Sequence, residues 1–428
     1  VYEGVDRIGR CERRCEKLIF IGVFKVYFVK KWLWLSSLSV MFLFSCDTES
    51  NKPGFKKSNS PLSECAGSPL TAKQEAEIRK RINAEEKVEE IDEIFRKKRL
   101  AGFNGNVLVA QGGVVLYEKS FGYANLRKKD SLEAHHAFQL ASLSKPFTAI
   151  AVLQLIEQKK ISLDDSIQRY IPDFPYHGIL IKSLLSHRSG LPNYAYSFPD
   201  SVRYGKLGPS NQEMLNWFAK ADPLPARYNY PNRSFNYCNT NYLVLAALVE
   251  KVSGISFEEY VEKNIFKPLG MSHTFLATEK VDSSRFLKTD GHQYGRVLPK
   301  DYFDNIVGDK GIYSTTEDLY RFYKGLLGGC LVQKKTLKEA FMPRSFERRG
   351  MKNYGYGFRM HLDEHDTPKY LYHTGWWKGY NTIMWMSEKD DFVIIILSNS
   401  YNRTIYQIKP LLDVLHGTVQ SDDVEKDI

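Results

Sequence analysis

The strongest constraint on the fold is that strand-like sequence sits at both ends of the chain, with a long helical stretch between. NVLVAQ and VVLYEKSFG flank Gly112 and Gly113, a hairpin signal with glycines where a tight turn needs positive φ. Near the other end, KYLYHTG, YNTIMWMS and DFVIIILSN are three short strand-like runs joined by tight turns, followed by a helical TIYQIKPLLDVLHG. Residues 143 to 300 instead carry helical patterns such as PFTAIAVLQLIEQKK and NTNYLVLAALVEKVSG, separated by Pro- and Gly-rich loops. These patterns predict one antiparallel sheet formed from both ends, flanked by helices, with an inserted, mostly helical lobe: an α/β chain of the α+β type. Helical spacing of Ile78, Ile82, Val88, Ile91, Ile94 and Phe95, with a capping box from Thr71 to Gln74, predicts a helix over Thr71 to about Leu100. The folded domain is expected over 71–418, with the helical lobe at about 143–300 and a polar tail at 419–428.

What precedes the domain reads as an address. KKWLWLSSLSVMFLFSC, residues 30 to 46, is a positive pair, an apolar run short for a bilayer span, then a small residue and a cysteine. Leu43, Phe44, Ser45 and Cys46 resemble a bacterial lipobox, which makes Cys46 the expected lipidation site. Phe44 is atypical there, and the plainer alternative is a cleaved signal or simple anchor. Residues 1–46 are therefore expected to be an export signal region, with LIFIGVFKVYFV and the opening Val pointing to an over-extended gene start. Residues 47–70, rich in Ser, Pro, Asn and Lys, suit a flexible tether. The expected location is the bacterial cell envelope, with the membrane as partner through an N-terminal lipid anchor.

At 428 residues and 43% hydrophobic content, size does not limit the core. A formal charge of +10 raises the question of nucleic acid. Lysines and arginines are scattered among acids, however, with no zinc-finger spacing, aromatic box or Walker-type loop to organise them, so no nucleic-acid partner is expected. The six cysteines are too few and too dispersed for a disulfide framework. Cys65, Cys238 and Cys330 form an odd set, which leaves at least one free thiol or a pairing between molecules. No CxxC or HExxH spacing is present, and no metal or organic cofactor is expected.

Chemistry concentrates in three places. In FQLASLSKPFTAIAVLQL, Ser142 stands three residues before Lys145 at a helix start, so the two side chains share one face. A serine hydroxyl becomes a useful nucleophile when a base takes its proton, and a lysine can serve once neutral. The helix N-terminus adds backbone N–H groups for a developing oxyanion. Alone, the SxxK pattern is equally a capped helix with a solvated lysine. Tyr237 and Asn239, in FNYCNTNYLVLAALVEKVSG, lie two apart just ahead of an apolar helix, where a phenol can relay a proton and an amide can grip a carbonyl. Tyr123 with Asn125 and Tyr230 with Asn232 repeat the spacing, but the first precedes the serine and the second is followed by Pro231 and no helix. His373, Thr374 and Gly375 end a strand whose edge can pair with a substrate backbone. The N–H of Trp376 would complete an oxyanion hole with that of Ser142. A lone strand histidine is ordinarily structural.

With SxxK, YxN and HxG in this order, the chain from about residue 86 to 418 resembles the class C β-lactamase family, which also includes D-alanyl-D-alanine carboxypeptidases, D-aminopeptidases and related esterases. LLSHRSGLPNY (184–194), GISFEEYVEKNIFKPLGMSHTF (254–275), GIYSTTEDLYRF (311–322) and YGYGF (354–358) extend the resemblance. His187 and His273 within these runs read as hydrogen-bonding loop residues. The resemblance implies a β-lactamase/transpeptidase-like fold and acylation of Ser142. Lys145 and Tyr237 would share acid and base duty, Asn239 would steady the acyl amide, and Thr374 and Gly375 would align substrate. His373 joins the expected catalytic set as the head of the third box. That box normally begins with Lys in the β-lactamase members, so histidine moves the expectation toward D-amino-acid peptides or small esters, with β-lactam hydrolysis as the alternative. A non-catalytic envelope binding lipoprotein is the reading from another class. Cys238 replaces a small residue between Tyr and Asn, and Lys378 offers either a substrate carboxylate partner or a solvated turn lysine.

Overall fold

The computed structural model describes residues 69–199, 208–278, 282–347 and 350–417. The expected export signal region, Cys46, Cys65, most of the expected tether and the polar tail lie outside the described residues. Thr71 and Gln74 form the expected capping box and start helix α1 (Ala72–Arg81). The predicted single helix breaks at Asn83, whose φ of 54° is left-handed, a conformation Asn tolerates better than most residues. Helix α2 (Ala84–Leu100) follows and buries Ile91 and Phe95. Phe95 meets Phe103, Tyr117 and Phe121 at ring separations of 5.6 to 6.1 Å, and burying such a side chain stabilises by about 1.5–3 kcal/mol.

Strands β1 (Gly105–Gln111) and β2 (Val114–Phe121) then form the expected hairpin, turning at Gly112 and Gly113 with φ of 63° and 78°. The lobe opens with helix α3 (Lys145–Glu157), buried from Lys145 to Leu155, and contains helix α4 (Asn239–Ser253), buried from Thr240 to Val249. Helices buried on all sides belong at the centre of a core, which is where both lie. The helical run of the lobe ends at Leu269, so the described residues from 270 to 300 are loops and two-residue strands, and the run is shorter at its end than the pattern predicts. Helix α5 (Thr316–Leu327) starts at Thr315, whose side chain accepts from Asp318 N–H. No helix among the described residues is long and apolar enough to cross a membrane.

Strands β3 (Lys352–Tyr354), β4 (Arg359–Leu362), β5 (Pro368–Trp377), β6 (Tyr380–Ser387) and β7 (Phe392–Ser398) complete the sheet, followed by helix α6 (Lys409–His416). The strand order is β3-β4-β5-β6-β7-β1-β2, antiparallel throughout, and β7 lies on β1 from Gly105↔Ser398 to Gln111↔Phe392. The two ends of the chain thus meet in one sheet. All seven residues of β7 are buried. By the period of two, Val393, Ile395 and Leu397 face the lobe, while Phe392, Ile394 and Ile396 face α2 and α6. Cys238 is free and buried, whereas Cys330 is disulfide-bonded.

Candidate active site

Ser142 sits on a single tight turn, Ala141–Ser144, that runs straight into α3. Ala141 has a φ of 50°, a conformation costing a non-glycine residue about 1–3 kcal/mol and kept only where the surroundings enforce it. Here they do. Leu140 N–H donates to the Ile312 carbonyl at 2.8 Å, and its own carbonyl accepts from Thr382 Oγ1 at 2.7 Å. Gly375 of β5 presses on the same peptide, since a Cβ there would stand 2.1 Å from the Leu140 oxygen. Strands β5 and β6 therefore fix the bend that presents the serine.

Lys145, the first residue of α3, is fully buried. Its Nζ donates to Ser142 Oγ at 3.0 Å, Asn239 Oδ1 at 2.9 Å and the Asp309 carbonyl at 3.0 Å. Three acceptors thus surround Nζ. Asn239 reaches it because Cys238 is the extended residue before α4, which places Asn239 on the first turn. Tyr237, just upstream, lays its ring 5.0 Å from Lys145 Nζ and 4.7 Å from the Arg359 guanidinium. The His187 ring packs on it at 4.3 Å. The Tyr237 hydroxyl is buried and hydrogen-bonds neither Ser142 nor Lys145, and the Arg359 guanidinium is the charged group beside it.

The spacing of SxxK and YxN thus translates into one cluster of Ser142, Lys145, Tyr237 and Asn239. The third box joins differently. β4 pairs with β5 only as far as Tyr372, so from His373 onward that edge of β5 has no strand beside it among the described residues. Lys378 and Gly379 form a two-residue turn with φ of 41° and 86°. Trp377 and Tyr380, which flank it, are a paired position, and alternation along the ladder then turns the Trp376 N–H away from β6 toward the open edge. The Trp376 side chain is 60% exposed at the rim.

His373 is fully buried and makes no hydrogen bond to Ser142, Lys145 or Tyr237. Its Nδ1 bonds the Thr374 carbonyl at 2.8 Å and its Nε2 the Tyr354 hydroxyl at 3.2 Å. Burial, then the charges of Arg359 and Lys145, pushes it well below the usual histidine range. Burial and the same two cations do so for His187. Both rings are neutral at pH 7. His187 Nδ1 accepts from Cys238 N–H at 3.1 Å and meets the Asn241 amide at 3.0 Å, a hydrogen-bonding loop role. His273 likewise anchors its loop, donating its N–H to Asp318 at 2.8 Å. Lys378 pairs with Asp301 at 2.9 Å.

Sequence reasoning missed three contributors. Arg359 and Tyr354 lie on β4 and β3, strands of four and three residues, too short for alternation to show. Asp309 contributes only a backbone carbonyl, which no side-chain motif reveals. Its signal is the pair of flanking glycines, Gly308 and Gly311, with φ of 98° and 101°. A cavity of about 510 Å³ lies around Glu258, Met271 and Phe286 and includes none of the clustered groups. Among the described residues, no group of three His, Cys, Asp or Glu is placed to hold a metal ion.

Comparison with known proteins bears on the same residues. The family model described as Beta-lactamase matches residues 91–415. Penicillin-binding protein 4* of Bacillus subtilis (strain 168) is 34% identical over 319 residues, spanning 71% of this chain and 70% of that protein. Among solved structures, the octameric penicillin-binding protein homologue of Pyrococcus abyssi superposes with a TM-score of 0.67 at 25% identity, covering 79% of this chain and 78% of that one. The D-amino acid amidase of Ochrobactrum anthropi SV3, complexed with L-phenylalanine amide, gives 0.64 at 21% identity over 78% and 99% of the two chains. That last likeness is one of fold.

Proposed function

The chain belongs to the Beta-lactamase family of penicillin-binding-protein-related serine hydrolases, and from that membership we propose that it hydrolyses a D-amino-acid peptide or small ester through an acyl-enzyme on Ser142. The observation that carries this reading is the hydrogen-bonded trio of Ser142, Lys145 and Asn239 with the Tyr237 ring 5.0 Å from Lys145 Nζ. A phenol next to a lysine bonded to the serine can take or return a proton.

In this mechanism Ser142 Oγ attacks the substrate carbonyl and its proton passes to the Lys145–Tyr237 pair. The new C–O bond creates an oxyanion held by the N–H groups of Ser142 and Trp376. Collapse breaks the C–N or C–O bond, and the same pair protonates the departing amine or alcohol. Water then repeats the sequence on the ester and frees Ser142. Asn239 steadies the acyl amide, and Thr374 and Gly375 line the open edge of β5 against the substrate backbone. His373, neutral and bonded to Tyr354, acts by fixing that strand.

The envelope remains the proposed setting. Cys46 supplies the lipidation signal in sequence, and a disulfide at Cys330 suits an oxidising compartment. Histidine at the third box favours peptides and esters, as does the fold shared with a D-amino acid amidase. The test is a substrate panel with D-alanyl-D-alanine peptides, D-amino acid amides, p-nitrophenyl esters and nitrocefin, alongside penicillin adduct lifetime by mass. We expect turnover of a D-amino-acid substrate or ester with a long-lived penicillin adduct. Rapid nitrocefin turnover with prompt clearance would replace this with the β-lactamase reading, and no turnover or adduct at all would support a binding role.

A further inference from the structure

Behind Lys145 lies a buried charged cluster that the proposed chemistry does not use. Asp309 and Lys310 are 1% and 2% exposed. Lys310 Nζ is 3.5 Å from Asp309 Oδ1, and it donates to Tyr194 Oη at 2.8 Å and to the Ile306 carbonyl at 3.3 Å. Tyr194 in turn donates to Asp309 Oδ2 at 2.9 Å. Lys310 also stands 5.0 Å from the Trp377 ring, whose Nε1 donates to Asp304 at 2.7 Å.

The backbone of this cluster is bolted to α3 and the serine turn. Thr148 Oγ1 donates to the Gly308 carbonyl at 2.7 Å, Lys145 Nζ to the Asp309 carbonyl at 3.0 Å, and Ile312 N–H to Ser144 Oγ at 3.3 Å. Gly308 cannot carry a side chain, since a Cβ would lie 2.3 Å from the Tyr242 carbonyl. One short segment therefore touches Lys145, the serine turn and, through Lys310, the end of the strand whose edge faces substrate.

We propose that Asp309 and Lys310 are positioning residues: their buried pair, latched by Tyr194, sets the carbonyl that accepts the third hydrogen bond of Lys145 and couples it to Trp377 at the end of β5. This rests on the reading of Ser142 as nucleophile. A buried ion pair is rarely kept for stability alone, because an apolar pair of similar volume usually does as well or better. The charged groups facing Lys310 are Asp309, Asp304, Asp301 and Lys145, of which Asp301 is shared with Lys378. Burial pulls Lys310 below the usual lysine range, while Asp309 and Asp304 hold it up.

The test measures the rate of labelling by a fluorophosphonate probe against pH, with melting temperature, in the full chain and its variants. Asp309→Asn and Lys310→Met are each expected to slow acylation about 10- to 100-fold, the scale of a misplaced catalytic group. Removing the cation should move the pH midpoint up and removing the anion should move it down, since each changes the field at the serine's base. The double variant leaves no unpaired charge and should regain melting temperature without regaining rate. Tyr194→Phe keeps both charges and the ring, and is expected to slow acylation about fivefold. Folded variants that label at the wild-type rate with an unmoved midpoint would overturn the proposal, as would single variants whose midpoints move the same way. A wild type that takes no label would remove the Ser142 reading first, and this inference with it.

Discussion

Replacing Lys145 by methionine is expected to reduce acylation of Ser142 by about 10³- to 10⁴-fold while the protein stays folded. Methionine fills nearly the same buried volume, so the core around α3 keeps its packing. What disappears is the contact at 3.0 Å to Ser142 Oγ and the only donor that Lys145 gives to Asn239 and the Asp309 carbonyl. The buried Asp309 carbonyl then loses a partner at a cost of about 1–3 kcal/mol, and the half-buried Asn239 amide loses one as well, so melting temperature should fall without loss of the folded state. Lys145→Arg is the informative companion: it restores charge but cannot give up a proton at accessible pH, and rate should remain lost. Stopped-flow acylation with an activated ester, read beside circular dichroism, checks both. Acylation within tenfold of wild type by Lys145→Met would show that this lysine is not part of the proton path.

The second large effect is expected at Gly375→Ala, which adds one methyl group. That carbon would meet the Leu140 carbonyl at 2.1 Å, Thr382 Oγ1 at 2.3 Å and the Ala141 Cβ at 3.1 Å. Two of these belong to the turn that presents Ser142, and Ala141 is already held at positive φ. Either β5 or the turn must move. Overpacking of this kind costs about 1–3 kcal/mol, and a shift of about 1 Å at the nucleophile costs about 10²-fold in rate. The variant should therefore melt several degrees lower and lose at least that factor in kcat. Wild-type melting and rate in Gly375→Ala would mean that β5 does not clamp the serine turn.

The fold was legible where pattern and length were both strong. The hairpin at Gly112 and Gly113, the three C-terminal strands and the two buried helices all follow from period and turn chemistry. Their meeting in one sheet follows from the scarcity of strand elsewhere. The break at Asn83 was hidden because the apolar spacing runs through it, and only the left-handed residue interrupts the ladder. β3 and β4 escaped because strands of three and four residues carry no readable alternation.

At the site, motif spacing gathered Ser142, Lys145, Tyr237 and Asn239 because each pair is local to one helix start. His373 shows the limit of such reading. Its place in a three-residue box says nothing of where the ring points, and the ring turns inward to Tyr354. Asp309 and Arg359 act through a carbonyl and a guanidinium brought in by tertiary structure, which local sequence does not encode.

If Ser142 is the nucleophile, exposure to a fluorophosphonate should add mass at that serine, and intact mass spectrometry reads this. One phosphonyl adduct is expected on the wild-type chain, mapped to the peptide containing Ser142, and none on Ser142→Ala. A folded wild type that gains no mass, or a Ser142→Ala variant that gains the same adduct, would contradict it.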